Sequence, residues 1–486
     1  MKKYIIYTLL SVLFFSILGC EKNLLEKNPL DQLSSGEFWK SKADFDMALT
    51  GVYGQFQNSM FSYGAPNWDA LTDNGYGQHN YWGSQAIVQG DISPSSGGYI
   101  SDVYSACYSG IARINIFLEQ LAAFESSDLD QVTRSQYEGE AKFMRGFYYF
   151  QLYSHYGSTP LVLETLTLEN QIQPKAPEAE VLAQSLADLD SAIANLPDEL
   201  FSDNGGHAVK TSAQAMKLRV LMFAAYGNTG IPDNGILTQA RDLALEIMEA
   251  GYVLSPNFDD VFKDGTQEGN PEIVFSIKFL APDNATPMDQ WYGDWLVVSP
   301  LQNLVDTFED DDPRLESTIF ADEVNFNGNI HNPSNGLPTG FGVKKFLSPG
   351  LMPYGYATQS QQDWVLLRYA DVLLMFAEAQ NELIGSDQSV YDAVNAIRGR
   401  VGMPDLPAGL TKEQMRENIR HERRIELAFE GLRYYDLNRW RIAEDILNNV
   451  TDGVLSYTFE ERFYQWPIPQ AEIDKSQGQL EQNSDY

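Results

Sequence analysis

Apolar residues recur along this chain at two different spacings, and the change between them divides it. From Ala43 to Phe56, Phe45, Leu49, Val52 and Phe56 are spaced four, three and four apart, which predicts an amphipathic helix. The same period returns at Ile111, Ile114, Leu118 and Leu121, and again from Glu140 through Tyr153. A further pair is predicted over Val181–Leu196, closed by Pro197, and Ala213–Tyr226, ended by Gly227. A fifth helix lies near Ala240–Ala250 before Gly251. Residues 57–100 hold no period and are rich in Gly, Asn, Ser, Tyr and Trp. Residues 252–365 are the least helical stretch, with short apolar runs such as Ile273–Ile277 reading as strands between Pro, Asn and Gly turns. Helices resume at Leu367–Leu383, Val390–Val401 and Glu413–Phe429.

Helices in such pairs suggest hairpins of the tetratricopeptide kind, each burying its apolar face on the next. The unit from Leu367 to Pro404 is the clearest, with Ala377 and Ala396 as small packing residues. The expected fold is therefore mostly α: a tetratricopeptide-like helical-hairpin scaffold with irregular loop and short-strand insertions. Its divisions are a helical region over 37–251 carrying a loop at 57–100, an irregular insertion over 252–365, and a helical region over 366–486. Binding belongs on loops held by a frame of this type.

The N-terminus follows a different rule. Lys2 and Lys3 precede an uncharged, mostly apolar run from Tyr4 to Leu18, then Gly19 and Cys20. The run is short for a bilayer span and reads as a removable export leader over 1–19. A cysteine directly after it is the site where a bacterial lipoprotein receives its acyl chains, leaving 20–36 as a lipidated tether. The alternative is an ordinary export signal with an incidental cysteine, and the bulk of Leu18 speaks for it. No later stretch approaches about 18 consecutive apolar residues, so any membrane attachment falls to the lipid.

Charge and cysteine content narrow the partners. A net charge of −34 repels phosphate backbones and excludes nucleic acid as a natural ligand. Only Cys107 remains besides Cys20, so stability must come from a buried core rather than a disulfide.

Catalytic patterns are sparse. The chain has no Gly-x-Ser-x-Gly elbow and no phosphate-binding loop ending in Gly-Lys-Ser/Thr. His421-Glu422 begins like a zinc-protease motif, but Ile425 stands where the second histidine is needed. His79, His155, His207, His331 and His421 form no ligand-spaced cluster. Paired carboxylates could serve a glycosidase, but 67 acidic residues make such pairs unspecific. The acidic run Glu309–Asp312 could hold structural Ca²⁺, although it lacks EF-hand spacing and also reads as a solvated turn before Pro313. No other cofactor is expected.

The C-terminal third carries Arg368-Tyr-Ala-Asp-Val-Leu-Leu374, Ala377-Glu-Ala379 and Val394-Asn-Ala-Ile-Arg-Gly-Arg400. Glu422-Arg-Arg-Ile-Glu-Leu-Ala-Phe-Glu-Gly-Leu-Arg-Tyr-Tyr-Asp-Leu-Asn-Arg-Trp440 follows, then Trp466-Pro-Ile-Pro469, Glu472-Ile473 and Gln482-Asn483. Upstream stand Phe38-Trp39, Gly51-Val52-Tyr53, Glu140-Ala-Lys-Phe-Met-Arg-Gly-Phe-Tyr-Tyr-Phe150, Tyr156-Gly157 and Pro160-Leu161. In this order the chain resembles the SusD/RagB family of outer-membrane lipoproteins of the Bacteroidetes. The resemblance implies a helical tetratricopeptide-like scaffold and no catalytic activity. It also implies a surface-exposed lid on a SusC-like TonB-dependent transporter, helping to capture oligosaccharides for import. Relatives of the RagB kind take peptide instead, and a lipid-anchored glycosidase is the enzymatic alternative. The acidic signal after the lipidated cysteine that goes with outward export is weak here, Glu21 being followed at once by Lys22.

The shared motifs themselves read as frame. Arg368, Asp371, Glu422, Arg423, Arg424, Glu426, Glu430, Arg433, Asp436 and Arg439 fall at helical spacings suited to buried ion pairing. A sugar binder needs flat aromatic faces for ring C–H patches and polar side chains at their rim. Two loop segments supply that mixture. The first runs from Trp68-Asp69 to Trp82, through Asp73, Asn74, Tyr76, Gln78, His79, Asn80 and Tyr81; the second is Asp289-Gln-Trp-Tyr-Gly-Asp-Trp295. Expected ligand-binding residues are Asp73, Asn74, Tyr76, Tyr81, Trp82, Trp291, Tyr292 and Trp295. Trp82, Trp291 and Tyr292 are the strongest, while Trp68 and Trp295 could equally be hydrophobic plugs under the loops.

Overall fold

The computed structural model describes residues 38–451 and 453–486. The leader, Cys20 and the tether lie outside the described residues. Helix α1 spans Lys42–Tyr53 and is followed by the irregular segment 54–98. Then come α2 (Tyr99–Ala123), α3 (Gln131–Tyr156), α4 (Glu178–Asn195), α5 (Lys210–Ala224) and α6 (Asn234–Met248). After the insertion come α7 (Tyr369–Ile384), α8 (Gln388–Arg400), α9 (Lys412–Glu426) and α10 (Arg433–Arg439). Side chains cap the starts of several helices. Asp130, Asp233 and Asp387 each accept a bond from a backbone N–H in the first turn, and Thr411 forms a capping box with Gln414.

Each of α2 to α6 packs on the next, and α6 packs directly on α7, which in turn carries α8 and α9. The insertion therefore loops out of the stack without interrupting it. The fold is mostly α, with short strands confined to four two-stranded antiparallel sheets among the described residues. Strand β1 (Gly75–Gly77) belongs to the first loop. The insertion holds β2 (Ile273–Ile277), β3 (Val298–Pro300), β4 (Ile319–Ala321), β5 (Val324–Phe326), β6 (Asn329–His331) and β7 (Phe341–Val343), and ends in β8 (Trp364–Arg368). Strands β2 and β8 pair with each other and close the insertion at its base. One pairing crosses the chain: β1 aligns with β3, Gly75 opposite Pro300 and Gly77 opposite Val298.

Two sequence expectations need correction. Leu367 and Arg368 end strand β8 rather than starting a helix, and α7 begins at Tyr369. Arg368 is held extended because its guanidinium reaches Glu272, Glu426 and Glu430 at 2.6–2.8 Å, which requires it to face away from the helix. Helix α2 starts about three turns earlier than its apolar period suggested, since Ser101, Asp102, Ser105 and Ser109 give that stretch a polar outer face.

Beneath the insertion lies a buried network of opposite charges. The Glu426 carboxylate accepts from Arg314 at 3.0 Å, Arg368 at 2.7 Å and Arg400 at 2.6 Å. Glu430 accepts from Arg368 and from Lys345, and Glu422 from Arg314 and Arg398. Arg314, Arg368 and Lys345 are almost completely buried. The frame reading of these motifs therefore holds. The acidic run Glu309–Asp312 keeps an exposed turn at Asp310 and Asp311, while its two ends are drawn into the same network: Glu309 pairs with Arg398, and Asp312 pairs with Arg314 and caps the helix that follows it. Among the described residues no group of three or more His, Cys, Asp or Glu is placed to hold a metal, and no helix is long and apolar enough to cross a membrane.

Removing one partner from such a network leaves uncompensated buried charge, which costs about 3–5 kcal/mol. Glu426→Gln is therefore expected to lower unfolding free energy by about 3 kcal/mol in urea titration. Glu316→Gln, whose carboxylate is exposed 3.8 Å from Lys344, should change it by no more than about 0.5 kcal/mol. Equal effects would show that the buried network is not what holds the insertion.

Candidate functional site

The two segments singled out in the sequence lie far apart along the chain but meet in space. The β1–β3 pairing brings them together, and the Gln78 N–H extends it by donating to the Val297 carbonyl at 3.2 Å. His79 and Asn335 both meet the Trp295 carbonyl, at 2.9 and 3.0 Å. At this seam Tyr81, Trp82, Trp291 and Trp295 all stand half-buried. Tyr81 stacks on Trp291 at 5.3 Å and 25°, and Trp82 lies 5.9 Å from the same ring. Tyr63 meets Trp291 edge-on at 5.0 Å, and Trp295 meets the exposed Tyr356 at 5.2 Å.

Local backbone geometry explains how Trp82 is presented. Asn80 and Trp82 both sit in the left-handed region at φ +50°, a conformation that costs an ordinary residue about 1–3 kcal/mol. The turn is secured by the Asn80 side chain, which accepts from the Gln85 N–H at 2.9 Å. The Gln85 amide in turn donates to the carbonyls of Gly77 and Gln78 and to the Tyr76 hydroxyl. Two glycines make room for it. A Cβ on Gly64 would lie 2.4 Å from the Trp82 ring, and one on Gly98 would lie 2.0 Å from its carbonyl oxygen. Trp82 is thus held in one orientation. Trp291 rides on the short helix Met288–Gly293, whose other side is anchored by buried residues. Asp289 accepts from the Ser348 N–H at 2.6 Å, and the Tyr292 hydroxyl donates to the Tyr63 carbonyl at 2.8 Å.

Not every expected residue reaches this surface. Asp73, Asn74, Tyr76 and Tyr292 are buried, and their polar atoms are used inside the frame. Asp73 forms a two-pronged pair with Arg433, both contacts at 2.9 Å, and meets Arg424 at 3.0 Å. Burial opposes its ionisation, but the two guanidinium charges hold its carboxyl below the usual range. Asn74 donates to Asp69 at 2.7 Å and accepts from Arg424 at 2.9 Å. These four position the aromatic cluster and do not belong to its rim. Trp68 is a plug: it stacks on Trp466 at 5.9 Å and 6°, and its indole N–H donates to the Met60 carbonyl. Sequence reasoning missed Tyr63, Asn335 and Tyr356. Tyr356 was open to the same criterion, an aromatic in the turn-rich run Pro353-Tyr-Gly-Tyr356.

A second layer of charge lies below the Asp73–Arg433 pair. The Asp69 carboxylate receives the backbone N–H groups of Phe429 and Gly431, at 3.3 and 3.2 Å, in the elbow between α9 and α10. Burial pushes its pKa up to about 6 despite these bonds. Arg423 bridges Asp371 and Asp436, and Arg439 bridges Asp436 and Glu378. Burial works against ionised Asp371, but Arg219 and Arg423 outweigh it and hold its pKa at about 2.

With fold and site described, comparison with known proteins becomes informative. A family model described as the SusD family matches residues 251–486, and one described as starch-binding, associating with outer membrane, matches 23–222. The chain belongs to the SusD/RagB family. A SusD-like protein named P2, from Formosa agariphila, is 25% identical with both chains covered over their full length. Two solved SusD-like proteins from Bacteroides fragilis superpose with TM-scores of 0.78. One is 26% identical and covers 95% of this chain and 100% of its own. The other, described as a SusD-like carbohydrate binding protein, is 25% identical and covers 91% and 99%. The arginine–carboxylate strings that carried the resemblance are thus the buried frame of a SusD-like fold.

Because folded Asp371 has a depressed pKa, its contribution is present above its unfolded value near 3.8 and is lost as pH falls toward about 2. Asp371→Asn should therefore destabilise the protein most near neutrality. The gap from wild type should narrow between about pH 4 and about pH 2 in denaturant titrations. A gap independent of pH would show that Asp371 ionisation does not stabilise the fold.

Proposed function

We propose that this SusD-like chain is a non-enzymatic nutrient-binding lipoprotein of the outer membrane. In this reading it is anchored through acylated Cys20, faces the cell exterior, and captures oligosaccharides for delivery to a SusC-like TonB-dependent transporter. Residues 1–19 serve as the export leader and 20–36 as the tether. Tyr81, Trp82, Trp291 and Trp295 carry the ligand. The observation behind this reading is the convergence of half-buried aromatic rings from two distant loops on one seam, with Trp82 held in a strained backbone.

The chemistry is that of sugar recognition. Flat rings meet the apolar faces of pyranose units, and a rigid aromatic loses little conformational entropy on binding. The polar groups at the rim, His79, Asn80 and Asn335, carry hydrogen-bonding atoms of the kind that meet sugar hydroxyls. Support from relatives comes in two parts: the carbohydrate-binding description of the Bacteroides fragilis structure, and the outer-membrane association in the family description matching 23–222. The two carboxylates on the segment that carries Trp291 and Trp295 are buried, Asp289 accepting from the Ser348 N–H at 2.6 Å and Asp294 from the Ser334 N–H at 2.8 Å, and their withdrawal from the surface favours binding over glycosidic cleavage.

Trp82→Ala and Trp291→Ala are each expected to weaken oligosaccharide binding by about thirtyfold, about 2 kcal/mol, in titration calorimetry against a glycan panel. The melting temperature should move by only a few degrees, and the wild-type protein should return the glycan uncleaved. Undiminished affinity in both variants, or release of shorter sugars, would defeat the proposal.

A further inference from the structure

A cavity of about 610 Å³ opens on the other side of Trp82, between the turn after α1 and the outer face of α2. Its size lies within the range of small-molecule sites. On α2, Asp102, Ser105, Ala106 and Ser109 form one stripe at helical spacing, and Asp102, Ser105 and Ser109 are exposed. Opposite them stand Gln55, Gln57, Asn58 and Ser59, and Trp82 closes the end nearest the aromatic seam.

The lining is rich in uncharged hydrogen-bonding groups. Gln57 donates its amide to the Lys278 carbonyl at 2.7 Å, and Asn58 accepts from the Met60 N–H at 3.1 Å, so both side chains are anchored. The second polar atom of each makes no hydrogen bond among the described residues. The same holds for the Gln55 amide, the Ser105 and Ser109 hydroxyls and the Trp82 indole N–H. No Lys or Arg lines the groove, and its one carboxylate, Asp102, accepts from the Ser101 hydroxyl at 2.8 Å. An acidic ligand would meet a like charge with nothing to offset it, on a chain of net charge −34. A neutral polyol would find donors and acceptors on both walls and an aromatic ring at the end.

We propose that this groove is a second sugar subsite, continuous with the aromatic seam through Trp82, and that it selects uncharged pyranose units over uronates and sulfated sugars. The inference rests on the glycan-binding reading and deepens it by naming the substrate class. A chain lying across Trp82 would contact both sites, so affinity should grow with ligand length.

The test uses neutral gluco-, manno- and xylo-hexasaccharides, the matching disaccharides, and a galacturonate hexasaccharide as the acidic probe. Wild type should bind its best neutral hexasaccharide at least about tenfold (about 1.4 kcal/mol) more tightly than the disaccharide, and more tightly than the acidic probe. Ser105→Trp, placed at an exposed position to fill the groove, should erase most of that length advantage and leave disaccharide affinity unchanged. Asp102→Arg should raise affinity for the galacturonate several-fold, which keeps the test open should the tryptophan variant fold poorly. A hexasaccharide bound no better than its disaccharide, an unaffected length advantage in Ser105→Trp, or tighter binding of galacturonate by wild type would each overturn the subsite. Failure of every sugar, disaccharides included, would instead defeat the glycan-binding reading on which it rests.

Discussion

The structure turns on a few buried carboxylates that arginine side chains hold in place. Asp73, in the first loop, is gripped by Arg433 and Arg424, and Asp69 is received by backbone N–H groups at the elbow between α9 and α10. These contacts join residues some 360 positions apart in the chain. Burying ions is costly, and a well-packed apolar core could supply equal stability. What ion pairing adds here is position: two-pronged guanidinium contacts admit one geometry, while apolar packing tolerates several.

From that clamp the rest follows upward. With Asp69 to Asn74 immobilised, β1 emerges at a set place and pairs with β3, which brings Trp291 and Trp295 beside Tyr81 and Trp82. Below it, Glu426, Glu422 and Glu430 tie Arg314, Lys345 and Arg368 to α9 and its elbow, so the insertion carrying β3 rests on the same support. The two halves of the aromatic seam therefore share one foundation. That arrangement allows Trp82 to be held in a strained backbone conformation, because the surroundings over-determine it.

Much of this was legible in the sequence, for physical reasons. The helices announced themselves because each buries one face, and the charged strings from Arg368 to Arg439 read as frame because their spacing put opposite charges within reach. The two aromatic loops were also legible as a mixture suited to sugars. What could not be read was depth. Asp73 and Tyr81 stand eight residues apart in one polar loop, yet one is buried under Arg433 and the other meets solvent. That distinction depends on α10, whose contact with the loop no local pattern reveals. Whether Trp68 was plug or platform stayed open for a similar reason, since its stacking partner Trp466 comes from the far end of the chain. The polar outer face of α2, which hid the start of that helix, is also the wall of the groove beside Trp82.

The account's central claim is that the Asp73 clamp holds the aromatic seam in place. Backbone amide hydrogen exchange over Gly75–Trp82, compared between wild type and Asp73→Asn, tests it most directly. The account predicts that protection there falls by at least about tenfold, while amides in α5 and α6 keep theirs. Unchanged protection in the loop, or an equal loss throughout the molecule, would contradict it.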